Sequence, residues 1–113
     1  MGKFNFSKWL NQEANVFYLD TVDDGHGGFE KEWTRKYYRI PTRVYGYTGN
    51  ITIKEQGIDY QVERKALFGV DIDIDKGDKV EVDDEKFIVL RSYKPRTMTE
   101  HHTTVLLGLL EDE

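Results

Sequence analysis

The fold is decided by residues 68–92, which have the sequence FGVDIDIDKGDKVEVDDEKFIVLRS. Within residues 70–75, β-branched residues alternate with aspartates, which predicts a strand with one apolar and one acidic face. The alternation resumes between two segments of turn composition, residues 76–78 and 83–85, and residues 87–90 are wholly apolar. We therefore expect three short strands joined by tight turns, a pattern that builds small β-barrels and sandwiches.

A hairpin is predicted near the start of the chain. Residues 14–22 and 29–37 are both rich in strand-forming residues, and residues 23–28 between them contain three glycines and two aspartates. Phe29 and Trp33 fall on one face of the second strand by alternation, with glutamates and a threonine on the other. The first two strands are therefore expected to form an amphipathic hairpin.

The remaining segments complete the set of strands. Residues 38–44 alternate again, and Pro41 places this strand at an edge or a bulge because proline has no amide hydrogen. Residues 47–61 have few apolar side chains and are predicted to be a long loop between two barrel strands. Residues 62–70 return to the core, and residues 99–110 form the closing strand.

The N-terminal segment, residues 1–13, is predicted to contain a short helix or arm. Phe6, Trp9 and Leu10 share one helical face, and a helix of this length needs a surface to dock on. That surface is either one end of the barrel or a neighbouring subunit. The predicted fold is all-β: a small β-barrel with a short N-terminal helix and a long inter-strand loop.

Length, composition and charge limit the number of domains, the compartment and the classes of partner that we expect. Its 113 residues predict a single domain, and the absence of cysteine excludes disulfides and fits a reducing cytoplasm. The net charge is −5; residues 66–113 carry twelve acidic and six basic side chains, whereas residues 1–65 are near balance. This charge argues against tight binding of nucleic acid, which needs a basic surplus. The apolar run at residues 105–110 is far shorter than the roughly 20 residues of a membrane helix, so no membrane partner is predicted.

No catalytic, cofactor or metal motif emerges from the residue spacing. Asp71, Asp73 and Asp75 invite a metal interpretation, but a calcium loop starting at Asp71 would need glycine and glutamate where Lys76 and Val82 stand. The glycine spacings match no phosphate-binding loop. We therefore expect a solvated acidic face, a chain without enzymatic activity and no cofactor.

Aromatic and basic residues interleave along the strand that contains Pro41, a composition typical of protein interfaces. Together with the apolar face of the N-terminal segment, they form the predicted interface set. Its members are Phe6, Trp9, Leu10, Tyr38, Arg39, Arg43 and Tyr45.

The order of these features resembles the head-closure, or head–tail connector (stopper), proteins of tailed bacteriophages. The resemblance covers residues 14–110. It rests on the segments VFYLDTVDDGHGGFEKEWT, RIPTRVYGY, the long excursion, FGVDIDIDKGDKVEVDDEKFIVL and HHTTVLLGLL. In that family the first hairpin has glycines at its tip and a tryptophan after charged residues, as Trp33 is here.

The resemblance implies an assembly role in the virion, at the head–tail junction. It implies a homo-oligomeric ring, hexameric or dodecameric, that binds a portal or adaptor protein and a tail protein. Double-stranded DNA passes through the lumen of such a ring without sequence-specific binding. In some members the long loop between barrel strands lines or plugs this channel. The corresponding residues are Tyr47, Asn50, Ile51, Thr52, Ile53, Lys54, Glu55 and Gln56.

Three alternatives stay open at this point. The first is a tail-terminator or tail-tube component of the same virion. The second is an oligonucleotide-binding barrel that stacks bases on its tyrosines, with Tyr37 and Tyr47 beside Tyr38 and Tyr45. The third is a metal-dependent hydrolase built on the aspartates of residues 71–75.

Overall fold

The computed structural model describes residues 12–23, 25–47, 49–55, 57–94 and 102–110. The predicted helix at residues 1–13, with Phe6, Trp9 and Leu10, lies outside the described residues except for its last two positions, which belong to the first strand. The described part of the chain is all-β and forms eight strands. These are β1 Gln12–Asp23, β2 Phe29–Gly46, β3 Thr52–Glu55, β4 Ile58–Gln61, β5 Arg64–Gly69, β6 Lys79–Val82, β7 Glu85–Tyr93 and β8 His102–Leu109.

Six of these strands form a closed barrel in the order β1-β2-β5-β8-β7-β6, which confirms the predicted barrel. All pairings are antiparallel, and β6 closes the barrel through Asn15↔Glu81, Val16↔Val80 and Phe17↔Lys79. Alternate residues point inward, as the sequence periodicity requires. The interior is filled by Ala14, Val16, Ala66, Phe68, Ile74, Val80, Val82, Phe87, Val89, Val105 and Leu107.

β2 is a single strand of 18 residues and not the two separate strands that the sequence suggested. It stays continuous because two bulges absorb extra residues opposite β1, one at Tyr38 and Arg39 and one at Lys36. Arg39 has a φ of 52°, and its amide donates a hydrogen bond to Asn15 Oδ1 at 2.9 Å. Pro41 lies beside this bulge, where β2 pairs only with β1, as its missing amide hydrogen predicted.

The strand predicted for residues 70–75 is wrong. β5 ends at Gly69, and the chain crosses to β6 through turns and irregular backbone. Residues 70–75 pair with no strand, and Ser92 Oγ donates to the Ile74 carbonyl oxygen at 2.6 Å. Only at the end of the segment do Gly77 and Asp78 exchange backbone hydrogen bonds with Val89 of β7. Ile74 is completely buried while Val70 is 53 % exposed. The alternation therefore reflects Ile74, which fills the barrel interior, and Ile72, which packs against the same core, and not a strand in residues 70–75.

The turn between β6 and β7 is confirmed. It contains only Asp83 and Asp84, which have φ values of 51° and 65°. Two left-handed residues define a type I′ turn, whose twist matches that of the strands it joins. Aspartate tolerates this conformation better than most side chains do.

The long loop predicted for residues 47–61 contains a β-hairpin, and this is the second correction. β3 and β4 pair from Thr52↔Gln61 to Glu55↔Ile58, and the hairpin lies against the outside of the barrel. Ile53 and Val62 are buried there on the outer side of β7 and β8, against Ile88, Leu90 and Leu106. Residues 87–90 are wholly apolar because the barrel interior covers one face and this hairpin covers the other.

Candidate assembly surfaces

The β1–β2 hairpin extends beyond the barrel as a two-stranded ribbon. β6 pairs with β1 only as far as Phe17, and β5 pairs with β2 only from Thr42 onward. Beyond these positions, residues 18–23 and 29–34 pair only with each other among the described strands, and we call this part of the hairpin the arm. Each arm strand therefore has one edge without a strand neighbour, which is a surface where another chain can pair or pack.

The arm has two chemically different faces. Leu19 pairs with Trp33, and Phe29 at the tip is 74 % exposed on the same face. Lys31 and Arg35 also lie on this face, since they pair with residues 21 and 17. Asp23, opposite Phe29, is the one acidic residue on this face of the arm. The face is therefore aromatic with a net positive charge, and we call it the aromatic face.

The opposite face of the arm is acidic. Asp20 lies directly across from Glu32, and like charges in this position destabilise an antiparallel pair. Glu30 lies on the same face and is exposed. The arm thus contains an unfavourable cross-strand pair on one face and an exposed phenylalanine beside a half-buried tryptophan on the other. Its sequence is not optimised for stability in an isolated chain.

Lys79 of β6 joins the aromatic face to the barrel. Its ammonium lies 4.6 Å from the ring centroid of Phe17 and 5.2 Å from that of Trp33. Both distances are within the range of a cation–π interaction. Glu81 Oε2 is 3.6 Å from the same ammonium. Because Val16 and Val80 point into the barrel, Phe17 and Lys79 lie on the outer wall, and the aromatic face continues that wall.

The base of the arm is fixed by an ion cluster on the segment between β5 and β6. Lys36 Nζ donates to Asp78 Oδ2 at 3.1 Å and to Asp75 Oδ2 at 3.4 Å. The Tyr37 hydroxyl accepts a hydrogen bond from the Asp73 amide at 2.9 Å. These contacts attach residues 73–78 to β2 at the position of the second bulge, so the arm begins from a fixed point.

The electrostatics of this cluster reflect its burial. Burial raises the pKa of Asp78, outweighing the Asp75 amide and the Lys36 charge, which act in the opposite direction. Burial alone would lower the pKa of Lys36, but the hydrogen bonds and charges of Asp78 and Asp75 raise it. A hydrogen bond from Lys94, aided by Lys36, lowers the pKa of Asp75 despite partial burial. Lys36 is therefore charged at neutral pH and compensates the Asp78 carboxylate.

The same outer wall carries an acidic groove at the end opposite the arm. The groove has a volume of about 560 Å³ and surrounds the β6–β7 turn. Its lining residues are Glu13, Asn15, Glu81, Asp83, Asp84, Glu85 and Lys86. Five of these side chains are carboxylates and one is a lysine, so the groove favours a cationic partner.

A second groove lies where β2, β5 and β8 meet. Its volume is about 580 Å³, and it is lined by Tyr45, Gly46, Tyr47, Gly49, Lys65, Leu67 and His102. The Arg43 guanidinium lies 5.4 Å from the Tyr45 ring centroid on the same wall. This groove combines aromatic and basic groups and has no carboxylate in its lining.

The structure separates the predicted interface residues into two groups. Tyr45 lines the second groove and Arg43 lies over its ring, whereas Tyr38 and Arg39 lie in the first bulge of β2. Tyr38 is 60 % exposed and stacks against the Arg35 guanidinium at 4.8 Å. Arg39 forms an ion pair with Glu13 at 2.7 Å, beside the acidic groove.

The predicted channel-loop residues lie on β3 and the segment before it. Ile53 is buried against the barrel wall, and Tyr47 packs on the same cluster. Glu55 is 3.5 Å from the ammonium of Lys76. The exposed members of the set are Asn50, Ile51, Thr52 and Lys54, and Gln56 lies outside the described residues.

The aspartates of residues 71–75 do not gather into a metal site. Lys94 bonds to Asp73 and Asp75, so cations from the same chain already compensate them. In the described ranges no three His, Asp or Glu side chains are placed to hold a metal ion. The tyrosines are also dispersed: Tyr37 packs against the barrel core, and Tyr47 packs under the hairpin. Nowhere in the described segments is a helix long and apolar enough to cross a membrane.

Sequence reasoning missed Leu19, Lys79 and Gly108. Leu19 and Lys79 become part of the aromatic face only through the pairing of β1 with β2 and β6. Gly108 permits the β3–β4 hairpin to dock, since a Cβ there would lie 3.0 Å from both Leu90 Cδ1 and Tyr60 Cβ. A glycine within the closing strand was the available signal, because glycine in a strand often marks a close approach.

Comparison with known proteins adds one structural likeness. No protein-family profile and no curated protein sequence matches the chain. A solved structure with a similar fold is the protein xkdH of the phage-like element PBSX from Bacillus subtilis, with a TM-score of 0.51 and 16 % sequence identity. The match covers 87 % of this chain and 92 % of that one. At this identity the likeness shows a shared fold.

Proposed function

We propose that this chain is a structural protein of a tailed-phage virion that forms a ring at the head–tail junction. In this role it closes the head after DNA packaging, extends the DNA channel and docks the tail. The observation that carries the proposal is the fold shared with a protein of a phage-like element over nearly the whole length of both chains. The resemblance of strand and turn patterns to head-closure proteins supports it.

The surface features are consistent with assembly. The arm exposes aromatic side chains and strand edges that a neighbouring molecule can cover. The net charge of −5 suits a channel wall along which DNA slides without sticking. Such a ring is expected to be hexameric or dodecameric and to contact a portal or adaptor protein on one side and a tail protein on the other.

The β3–β4 hairpin is the proposed channel element, and its docked position constrains how it acts. Ile51 and Ile58 are 43 % and 55 % exposed, whereas Ile53 is covered by the barrel wall. The buried side of the hairpin can therefore line a lumen only after the hairpin leaves the wall. We infer that closure of the channel involves this movement.

The test of the ring uses DNA-filled phage heads that lack the protein. Purified protein should bind these heads, make them competent for tail attachment and protect their DNA from leakage, measured as nuclease-sensitive DNA. Binding to free tails and not to heads would support a tail-terminator role instead. Failure to bind either particle would overturn the proposal.

The proposed movement of the β3–β4 hairpin can be tested with a disulfide that holds the hairpin against the barrel wall. A Cβ at position 108 would lie 3.0 Å from Tyr60 Cβ, which is shorter than the roughly 3.5–4.5 Å between the Cβ atoms of a disulfide. Tyr60→Cys with Gly108→Cys therefore brings two thiols within bonding reach after a small outward shift of the hairpin, in a chain without other cysteines. The oxidised variant should bind heads but release DNA, and reduction should restore retention. Gly108→Cys alone is the matched control. Retention by the oxidised form would mean that the hairpin does not close the channel, although the ring proposal would stand.

A further inference from the structure

The aromatic face of the arm is not covered by a further strand from the described residues of its own chain. Phe29, Trp33 and Leu19 lie on a two-stranded ribbon with no third strand beside it in the described segments. Two-stranded hairpins are marginally stable in water, and an exposed ring such as that of Phe29, next to the half-buried Trp33 and Leu19, is typical of an interaction surface. Lys31 and Arg35 flank these rings, so the cover must be acidic.

The acidic groove at the β6–β7 turn has this chemistry. Its carboxylates Asp83, Asp84 and Glu85 are exposed, as is Glu13, which also forms the ion pair with Arg39. The groove and the arm lie at opposite ends of the β1–β6 outer wall, because β1 runs from Glu13 at the groove to Asp23 at the arm tip. One copy therefore cannot place its own arm in its own groove.

We propose that the aromatic face of the arm docks in the acidic groove of a second copy of this chain. Lys31 and Arg35 then face carboxylates of the neighbour, and Trp33 packs along the groove wall. A contact between two unlike surfaces repeats from copy to copy and closes into a ring when the rotation permits. The inference deepens the proposed function, on which it rests, by naming the surfaces through which copies meet.

The second groove is a weaker receptor for this face. It is lined by Lys65 and flanked by Arg43, and these cations would meet Lys31 and Arg35 of the arm. Like charges brought together at an interface are unfavourable. Charge complementarity therefore selects the acidic groove.

The test is a charge swap between two variants. The arm variant carries Lys31→Glu and Arg35→Glu, and the groove variant carries Glu13→Lys and Glu85→Lys, all at exposed positions. Each variant alone loses the opposite charges at its substituted positions, whereas an equimolar mixture places the reversed arm of one variant against the reversed groove residues of the other. We expect self-association, measured by sedimentation at low salt, to weaken at least about tenfold for each variant alone and to recover in the mixture.

Controls separate this interface from other effects. Lys54→Glu makes a similar charge change on β3 and should leave association unchanged. Lys65→Glu tests the second groove, and a loss of association there would overturn the proposal. The wild-type chain should associate more weakly as salt rises. A wild-type chain that stays monomeric up to about 1 mM at low salt would also overturn it.

A second measurement does not depend on the reversed charges. Lys31→Cys and Glu85→Cys, introduced into separate copies of the cysteine-free chain, should form a disulfide between copies only when both are present. Self-association through this contact, combined with failure to bind phage heads, would contradict the proposed function alone. Head binding that is insensitive to the charge swap, without crosslinking, would contradict this inference alone.

Discussion

The β3–β4 hairpin and the β1–β2 arm are both antiparallel ribbons that leave the barrel, but among the described residues only the hairpin buries an apolar face against the rest of the chain. The hairpin buries Ile53 against Leu90 and Leu106 on the barrel wall. The arm leaves Phe29 exposed and places Asp20 opposite Glu32. The hairpin contributes to the stability of the fold because its apolar side packs on the barrel. The arm, which has an exposed apolar side chain and a like-charge pair, is the better candidate for assembly.

The largest expected effect is the loss of the hairpin's buried anchor. Ile53→Ala should lower the free energy of unfolding by about 2–4 kcal/mol, because it removes a nearly fully buried side chain and leaves a cavity. Denaturant titration measures this change. Ile58→Ala, at a 55 % exposed position on the same hairpin, is the matched control and should change stability by less than about 0.5 kcal/mol. Equal losses would mean that the hairpin does not dock as described.

The close approach at Gly108 provides the next largest effect. Gly108→Val should cost about 1–3 kcal/mol, since its Cβ would meet Leu90 and Tyr60 and push the hairpin away from the wall. Amide hydrogen exchange in β3 and β4 should accelerate more than exchange in β1. Gly46→Ala is the control, because a Cβ at Gly46 has no heavy atom within 4 Å. Uniform acceleration across the barrel would contradict a local displacement.

At the base of the arm, we expect stability to depend on the ion pairs of Lys36 and not on buried apolar volume. Lys36→Ala should destabilise the protein by about 1–2 kcal/mol at neutral pH, because the buried Asp78 carboxylate loses its cation. Lys94→Ala, which affects exposed carboxylates, should cost less than about 1 kcal/mol. Denaturant titrations of both variants provide the comparison.

The effect of Lys36→Ala also has a definite pH dependence. Burial raises the pKa of Asp78 above its unfolded value, so protonation favours the folded state. The stability linked to this group is present below the unfolded pKa and is lost as pH rises through the folded pKa. Removing Lys36 raises the folded pKa further. The destabilisation should therefore be larger at pH 7 than near pH 4, and the reverse order would contradict this account.

The smallest effect on stability is expected at the arm tip. Phe29→Ser should change the free energy of unfolding by less than about 0.5 kcal/mol, because the side chain is 74 % exposed. The same substitution should weaken self-association, since it removes an aromatic ring from the docking face. Thermal unfolding and sedimentation of the same sample measure the two quantities. A large loss of stability without any change in association would mean that the arm contributes to the fold and not to assembly.

Much of the barrel could be predicted from local patterns. The turn at Asp83 and Asp84, the alternation of Val80 and Val82 and the glycine-rich tip of the first hairpin each encode local backbone geometry. The placement of Phe29 and Trp33 on one face of β2 also followed from alternation. Such features depend on neighbours along the chain, so the sequence exposes them directly.

The candidate surfaces were less predictable. Tyr38, Arg39, Arg43 and Tyr45 were expected to act together, but the bulge at Arg39 separates them into two groups. Lys79 joins the aromatic face only because β6 closes the barrel beside Phe17. Pairings between distant segments decide which side chains meet, and residue spacing along the chain carries little information about them.

The sequence by itself determined an all-β domain of short strands, tight turns and one amphipathic hairpin, because each follows from the period of two and from turn chemistry. Only the tertiary structure decided that residues 70–75 cross the barrel without pairing and that residues 52–61 dock as a hairpin. In both cases the outcome depends on barrel closure, which fixes the available strand partners and leaves Ile88 and Leu90 on an outer wall that must be covered.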